Sequence, residues 1–180
     1  MLGNKGLYMQ RQHGFTLIEL LITIAILAVL MGIAIPNFTQ FLVNQRVSGQ
    51  ASELISALAF ARSEASKRNA NIVVIPLTNT VTGWSNGWCM GPASVDNCNH
   101  ADVIASYQPK ASDISVTSAY LQAGNRLTFR RDGTLLDPGS ASPFKISSTR
   151  LSTTSDNARC INLNGLGKTS MKKVKPNVDC

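Results

Sequence analysis

Residues 15–35 read FTLIELLITIAILAVLMGIAI, an apolar run whose only charged member is Glu19. At about 1.5 Å per residue, a helix of that length is roughly 30 Å long, the hydrocarbon thickness of a bilayer. The run therefore predicts a helix able to span a membrane. Residues 1–14 before it carry Lys5 and Arg11 and no acid. The positive-inside tendency then leaves the N-terminus in the cytoplasm and sends the remainder across. Cleavage as an ordinary secretory signal, behind the small residues Gly32 and Ala34, fits less well. The run exceeds the roughly 7–15 apolar residues of a signal core, and a carboxylate within a membrane segment is costly and usually functional.

Pro36 removes one helical hydrogen bond, which predicts a kink or local melting rather than a stop. Beyond it Val47, Ala51, Leu54, Ile55, Leu58, Ala61 and Ala65 recur at three- and four-residue steps, while Gln45, Ser48, Glu53, Ser56 and Lys67 fall elsewhere. That is an amphipathic helix with one buried face, and it extends the N-terminal helix to Lys67 or Arg68, with Asn69 to Asn71 ending it. From there, short apolar or alternating runs split by turn residues predict antiparallel strands. The expected strands are Ile72–Pro76, Gly87–Met90, Val103–Tyr107, Ile114–Ser118, Arg126–Arg130, Thr134–Leu136, Phe144–Ser148 and Arg159–Leu163. Asp132-Gly133 marks the clearest hairpin, and Trp84 and Trp88 read as core residues beside a turn.

Little in the composition suggests catalysis. The histidines are His13 and His100, and the four cysteines at 89, 98, 160 and 180 form no Cys-x-x-Cys pair, so a metal site is disfavoured. His100 lies in a turn-like run without a nucleophile elbow. Gly165-Leu166-Gly167-Lys168-Thr169 is no phosphate loop, because Asn162 stands where the first glycine is needed. Neither a cofactor nor a small-molecule substrate is expected.

His13-Gly14-Phe15-Thr16-Leu17-Ile18-Glu19-Leu20 resembles the processing site of the type IV pilin and type II secretion pseudopilin superfamily. Ala61-Arg62-Ser63-Glu64-Ala65, Gly87-Trp88 and Phe129-Arg130-Arg131-Asp132-Gly133-Thr134 resemble marks of its GspH/FimT/FimU branch. The resemblance implies a prepilin peptidase that cuts between Gly14 and Phe15 and methylates the Phe15 amine. It also implies that Glu19 pairs with the Phe15 amine of a neighbouring subunit, since a buried carboxylate needs a partner. The implied fold is α+β: a long N-terminal hydrophobic helix packed on a C-terminal antiparallel, β-sandwich-like head. The implied organisation is a leader at 1–14, a transmembrane and assembly half of the helix at 15–36 that ends on Pro36, an amphipathic half at 37–68, and a globular β domain at 69–180. Such a protein is not an enzyme. It resembles minor pilins that cross the bacterial inner membrane once with the head in the periplasm, then join other major and minor pilins in a pilus at the cell surface, at or near its tip. Pilus assembly, twitching motility, adhesion or DNA uptake are the implied roles. A GspH-like pseudopilin of a type II secretion system is the alternative.

An even cysteine count outside the cytoplasm suggests disulfides, and four cysteines allow three connectivities. The sequence-local pairs Cys89–Cys98 and Cys160–Cys180 are expected. The chain carries a net charge of +7, and residues 159–175 hold Arg159, Lys168, Lys172, Lys173 and Lys175 without an acid. In a terminal loop tethered by Cys180, Lys168, Lys172, Lys173 and Lys175 could neutralise phosphates and bind DNA in a salt-dependent way. A solvated basic face is the competing reading. Gly167-Lys168-Thr169-Ser170 occupies the place of the Gly-Arg-x-Arg element of FimT-type proteins, but its arginines are missing, and lysine does not offer their bidentate fork.

Overall fold

The computed structural model describes residues 14–78, 80, 83–109, 112–118, 126–136 and 144–180, and the backbone alone of 33–37. Helix α1 spans Leu17–Arg68, and its helical backbone is unbroken at Pro36, so the local melting expected there is not observed. The chain divides into two compact units at Phe38 and Thr39. The described part of the first is Gly14 and Phe15, the cap at Thr16 and the start of α1. Residues 1–13 of the expected leader and the side chain of Pro36 lie outside the described residues.

The second unit contains the head. Among the described residues eight strands follow α1: β1 (Ile72–Pro76), β2 (Trp88–Pro92), β3 (Ala105–Tyr107), β4 (Ile114–Thr117), β5 (Leu127–Phe129), β6 (Phe144–Ser148), β7 (Ala158–Leu163) and β8 (Thr169–Val174). They form two antiparallel sheets, β3-β2-β1-β5 and β4-β6-β7-β8. Val43, Val47, Ala51, Leu54, Leu58, Ala61 and Ala65 line the buried face of α1 and share one core with both sheets. Ile55 is only partly buried against it. Trp84 and Trp88 are fully buried. Trp84 meets Phe144 edge-on at 5.0 Å, and Trp88 stacks on Tyr107 at 4.6 Å.

Helix α1 ends as its sequence dictates. Asn69 takes φ 50°, its amide donates to the Ser66 carbonyl (3.4 Å), and the Ala70 amide reaches back to Ala65 (3.2 Å). Asparagine tolerates the left-handed conformation of this Schellman cap better than most residues.

Every residue of β1 is buried because both of its faces are covered. Ile72 and Val74 join the main core, and Val73 and Ile75 pack with Cys89 and Val95 in a second cluster. The segment after β2 supplies that second cover. It is held there by the Cys89–Cys98 disulfide and by Arg126, which donates to the Val95 carbonyl (2.8 Å). Cys160 and Cys180 form the other bridge.

Two strand expectations need correction. Thr134–Leu136 is not a strand, because only Leu135 bridges Phe129. Arg130 and Thr134 instead close a tight loop in which the Gly133 amide donates to Arg130 (2.8 Å) and the Arg130 amide to Thr134 (2.7 Å). With φ 77° at Gly133, the glycine occupies the bulge position of a longer hairpin loop, not the centre of a two-residue turn. Strand β8 was not expected. Its sequence, TSMKKV, is largely exposed, and it forms the sheet edge, where lysines discourage further pairing. The basic stretch is therefore a hydrogen-bonded strand, not a tethered loop.

Candidate functional site

The N-terminal end of α1 is closed by a reciprocal cap. Thr16 Oγ1 accepts from the Glu19 amide (3.3 Å), and Glu19 Oε2 accepts from the Thr16 amide (3.2 Å) and hydroxyl (3.1 Å). This is a capping box, Thr-x-x-Glu, which satisfies two otherwise orphaned groups at the helix start. The sequence reading missed Thr16, although the spacing before an apolar run signals it. In the single chain Glu19 thus has an intramolecular partner in Thr16, the second residue after the expected cleavage point. Phe15 is 88% exposed, and a Cβ on Gly14 would meet open space. The packing of the described residues therefore does not require glycine there.

Every large apolar side chain from Leu17 to Met31 is more than half exposed. Patches of that extent on soluble proteins mark interaction or membrane surfaces. Among the described residues no helix is long and apolar enough to cross a membrane. Residues 33–37, which continue the apolar run, have no described side chains.

In the head, two of the three branch motifs, 61–65 and 129–134, converge at one place. Arg62 of α1 donates from Nε to the Gly133 carbonyl (3.0 Å). The β7–β8 loop repeats the geometry of the Arg130–Thr134 loop, with Gly167 donating to Asn164 (2.8 Å) and Asn164 to Lys168 (3.1 Å). Gly167 has φ 73°, and a Cβ there would overlap the Gly133 carbonyl oxygen. Leu135 then donates to the Gly165 carbonyl across the two loops (3.0 Å). The Arg-Ser-Glu and Asp-Gly-Thr signatures are thus halves of one interlock. The other acid of the signature, Glu64, is buried and pairs with Arg68 at 2.6 Å and Lys67 at 3.3 Å. The Arg68 hydrogen bond, seconded by Lys67 against the opposing effect of burial, holds its carboxyl below the usual carboxylate range. A cleft of about 390 Å³ opens beside the interlock, lined by Arg62, Ser66, Asp132 and Lys168 among others.

The structure does not gather the four lysines. Lys168 stands at the loop beside Arg62, whereas Lys173 pairs in register with Arg159, whose guanidinium donates to Asn44 of α1 (2.9 Å). Along β8 the five residue steps from Lys168 to Lys173 separate these ends by roughly 17 Å at about 3.3 Å per residue. Lys172 and Lys173 point to opposite faces of the sheet, because successive side chains of a strand alternate. Lys172 shares the outer face with Cys160 and Lys145 through the register Lys145, Cys160, Lys172. Lys145 lies 3.9 Å from Asp179, next to the disulfide-bound Cys180. Lys175 opens the turn that brings the terminus back, accepting from the Val178 amide (3.2 Å).

The model of the family described as Type II transport protein GspH matches residues 50–167. The prokaryotic N-terminal methylation motif matches residues 9–35. Two fimbrial proteins of Pseudomonas aeruginosa are each 42% identical over 65 residues, which is 36% of this chain. The chain spans only 42% of the length of these curated relatives. Crystal structures of the type IV minor pilin FimU of Pseudomonas aeruginosa, in two crystal forms, superpose with TM-scores of 0.58 and 0.55 at 22% and 21% identity. They cover 71% and 69% of this chain, and 89% and 91% of the FimU chains. That likeness establishes the pilin fold. The family model covers more than half of the sequence and its interlocked signatures, so this chain belongs to the GspH family, whose members are structural and not enzymatic proteins.

Proposed function

We propose that this chain is a minor type IV pilin. Residues 15–36 hold it in the inner membrane with the head in the periplasm, a prepilin peptidase cuts between Gly14 and Phe15 and methylates Phe15, and the apolar helix then packs among other pilins in the fibre, at or near the tip. One observation carries this reading: a methylation motif over 9–35 leads directly into a capped helix whose large apolar side chains have no cover in the single chain. Membrane lipid covers that surface before assembly, and neighbouring helices cover it afterwards. Glu19 serves twice in this scheme, as the cap of its own helix and as the acceptor for the Phe15 amine of the adjacent subunit.

Intact-mass analysis of the membrane fraction tests processing. A mature chain beginning at methylated Phe15 is expected, and a chain starting near Ile35 would refute it. The description of the matched family as a type II transport protein favours a second reading, a secretion pseudopilin. Deletion of the gene separates the two: loss of twitching with secretion intact supports the pilus, and the reverse supports the secretion fibre.

A further inference from the structure

The second unit carries a basic rim at its Thr39 end whose charge the fold balances only in part. Gln40 clamps the β6–β7 connection to α1, donating to the Arg150 carbonyl (2.9 Å) and accepting from the Ser152 amide (3.0 Å). The clamp fixes the Arg150 backbone while its side chain stays 66% exposed. Arg46, 49% exposed, lies 3.8 Å from Asp113 Oδ2, and Arg150 lies 3.7 Å from the same atom. One carboxylate between two guanidinium groups leaves a positive surplus. The β7–β8 register brings Arg159 and Lys173 to this end as well, with Lys175 next along the chain. Besides Asp113, the β6–β7 connection carries one acid, Asp156, while the acids of α1 that follow Arg46, Glu53 and Glu64, lie roughly two or more turns further along the helix.

We infer that the Arg46 and Arg150 rim docks on anionic phospholipid headgroups of the bilayer that holds residues 15–36. The inference rests on the membrane anchoring proposed above. Chain length argues for a lipid surface over a soluble acidic partner. Gln40 follows Pro36 by four residues, so it lies within about 14 Å of the end of the apolar run whatever the backbone does between them. The polar layer of a bilayer adds roughly 5–7 Å beyond the hydrocarbon, and its charge is felt over about another 8 Å at physiological salt. Even at the full reach of the chain, Gln40 is still within the roughly 13–15 Å over which headgroup charge acts, and the exposed Arg150 side chain fixed beside it can extend toward the phosphates. Arginine suits them, because its planar fork matches phosphate oxygens. The contact retains the head at the bilayer until assembly withdraws the subunit.

The test uses the full chain in vesicles of phosphatidylcholine alone and in vesicles with phosphatidylglycerol added. Flotation reports anchoring, and amide hydrogen exchange across residues 149–153 reports docking. Exchange is expected to be slower with phosphatidylglycerol, with a difference of about fivefold for each arginine engaged, and to recover at high salt. Arg46→Gln with Arg150→Gln abolishes the difference while the paired arginine-to-lysine variants retain most of it, and unchanged emission of the buried tryptophans shows that each variant is folded. Equal exchange in the two lipids, with flotation in both, overturns the inference and leaves the anchoring intact. The same protection from inorganic phosphate over phosphatidylcholine also overturns it, since the rim would then be a site for free anions. Failure to float with either vesicle overturns the anchoring itself.

Discussion

Replacing Gly167 by alanine tests whether the Gly-Lys element at the β7–β8 turn is structural. At φ 73°, an L-residue costs roughly 1–2 kcal/mol relative to glycine. The added methyl also overlaps the Gly133 carbonyl and crowds Phe129 at 3.1 Å and Arg62 at 3.3 Å. Relief requires the two loops to part, which removes either the Leu135–Gly165 hydrogen bond, worth about 1 kcal/mol, or the Arg62–Gly133 bond, worth about 1.5–3 kcal/mol for a charged donor. The combined loss is about 2–5 kcal/mol. For a chain of this size, about 1 kcal/mol moves the melting temperature by roughly 2–4 °C, so a drop on the order of 5–15 °C is expected. Circular dichroism melts of the full chain in detergent micelles measure it, with Lys168→Gln as the control that keeps the turn and changes only an exposed charge. Melting of Gly167→Ala within about 2 °C of the parent would refute both the strain and the interlock. Equal losses in the two variants would place the importance of the element in its charge.

Glu19→Gln keeps the capping hydrogen bonds but removes the charge, whereas Thr16→Val removes the cap and leaves the charge. If the amine pair drives assembly, Glu19→Gln is depleted from sheared pili and Thr16→Val much less so, as immunoblots of the two fractions would show. Gly14→Ala is expected to be processed in part and Gly14→Val not at all, read as the ratio of long to short chain on a gel. The double change Cys160→Ser with Cys180→Ser removes a bridge with a sequence separation of 20 and is expected to lower unfolding stability by about 3 kcal/mol in urea titration, while also freeing Asp179 from Lys145. Glu64 contributes stability above the carboxylate range because its folded pKa lies below that of the unfolded chain. That contribution is lost as pH falls from about 4 through the folded value, so acid titration of Glu64→Gln should be flatter than that of the parent in this window.

What was legible in the sequence follows from how local each signal is. The helix was readable because its first half is an unbroken apolar run and its second half repeats an apolar face over several turns, with Asn69 to Asn71 ending it. β1 was readable as an unbroken apolar run because burial on both faces leaves no alternation. The sequence-local disulfides joined cysteines whose loops are short, and those pairs are the ones that form. Strand β8 was not readable, since an edge strand with exposed lysines lacks the apolar alternation that marks a strand; it is held by register with β7. The interlock was invisible for a different reason. Arg62, Gly133 and Gly167 are separated along the chain, and the demand for glycine at 167 comes from the carbonyl of 133, which no local pattern can report. The lysines show the same limit from the functional side. Their spacing in sequence suggested one charged patch, but an extended strand sets Lys168 apart from the other three and turns Lys172 and Lys173 to opposite faces. Here the turn bearing Lys168 meets Arg62 at one end of the head, and the Gln40 clamp collects Arg46 and Arg150 at the other.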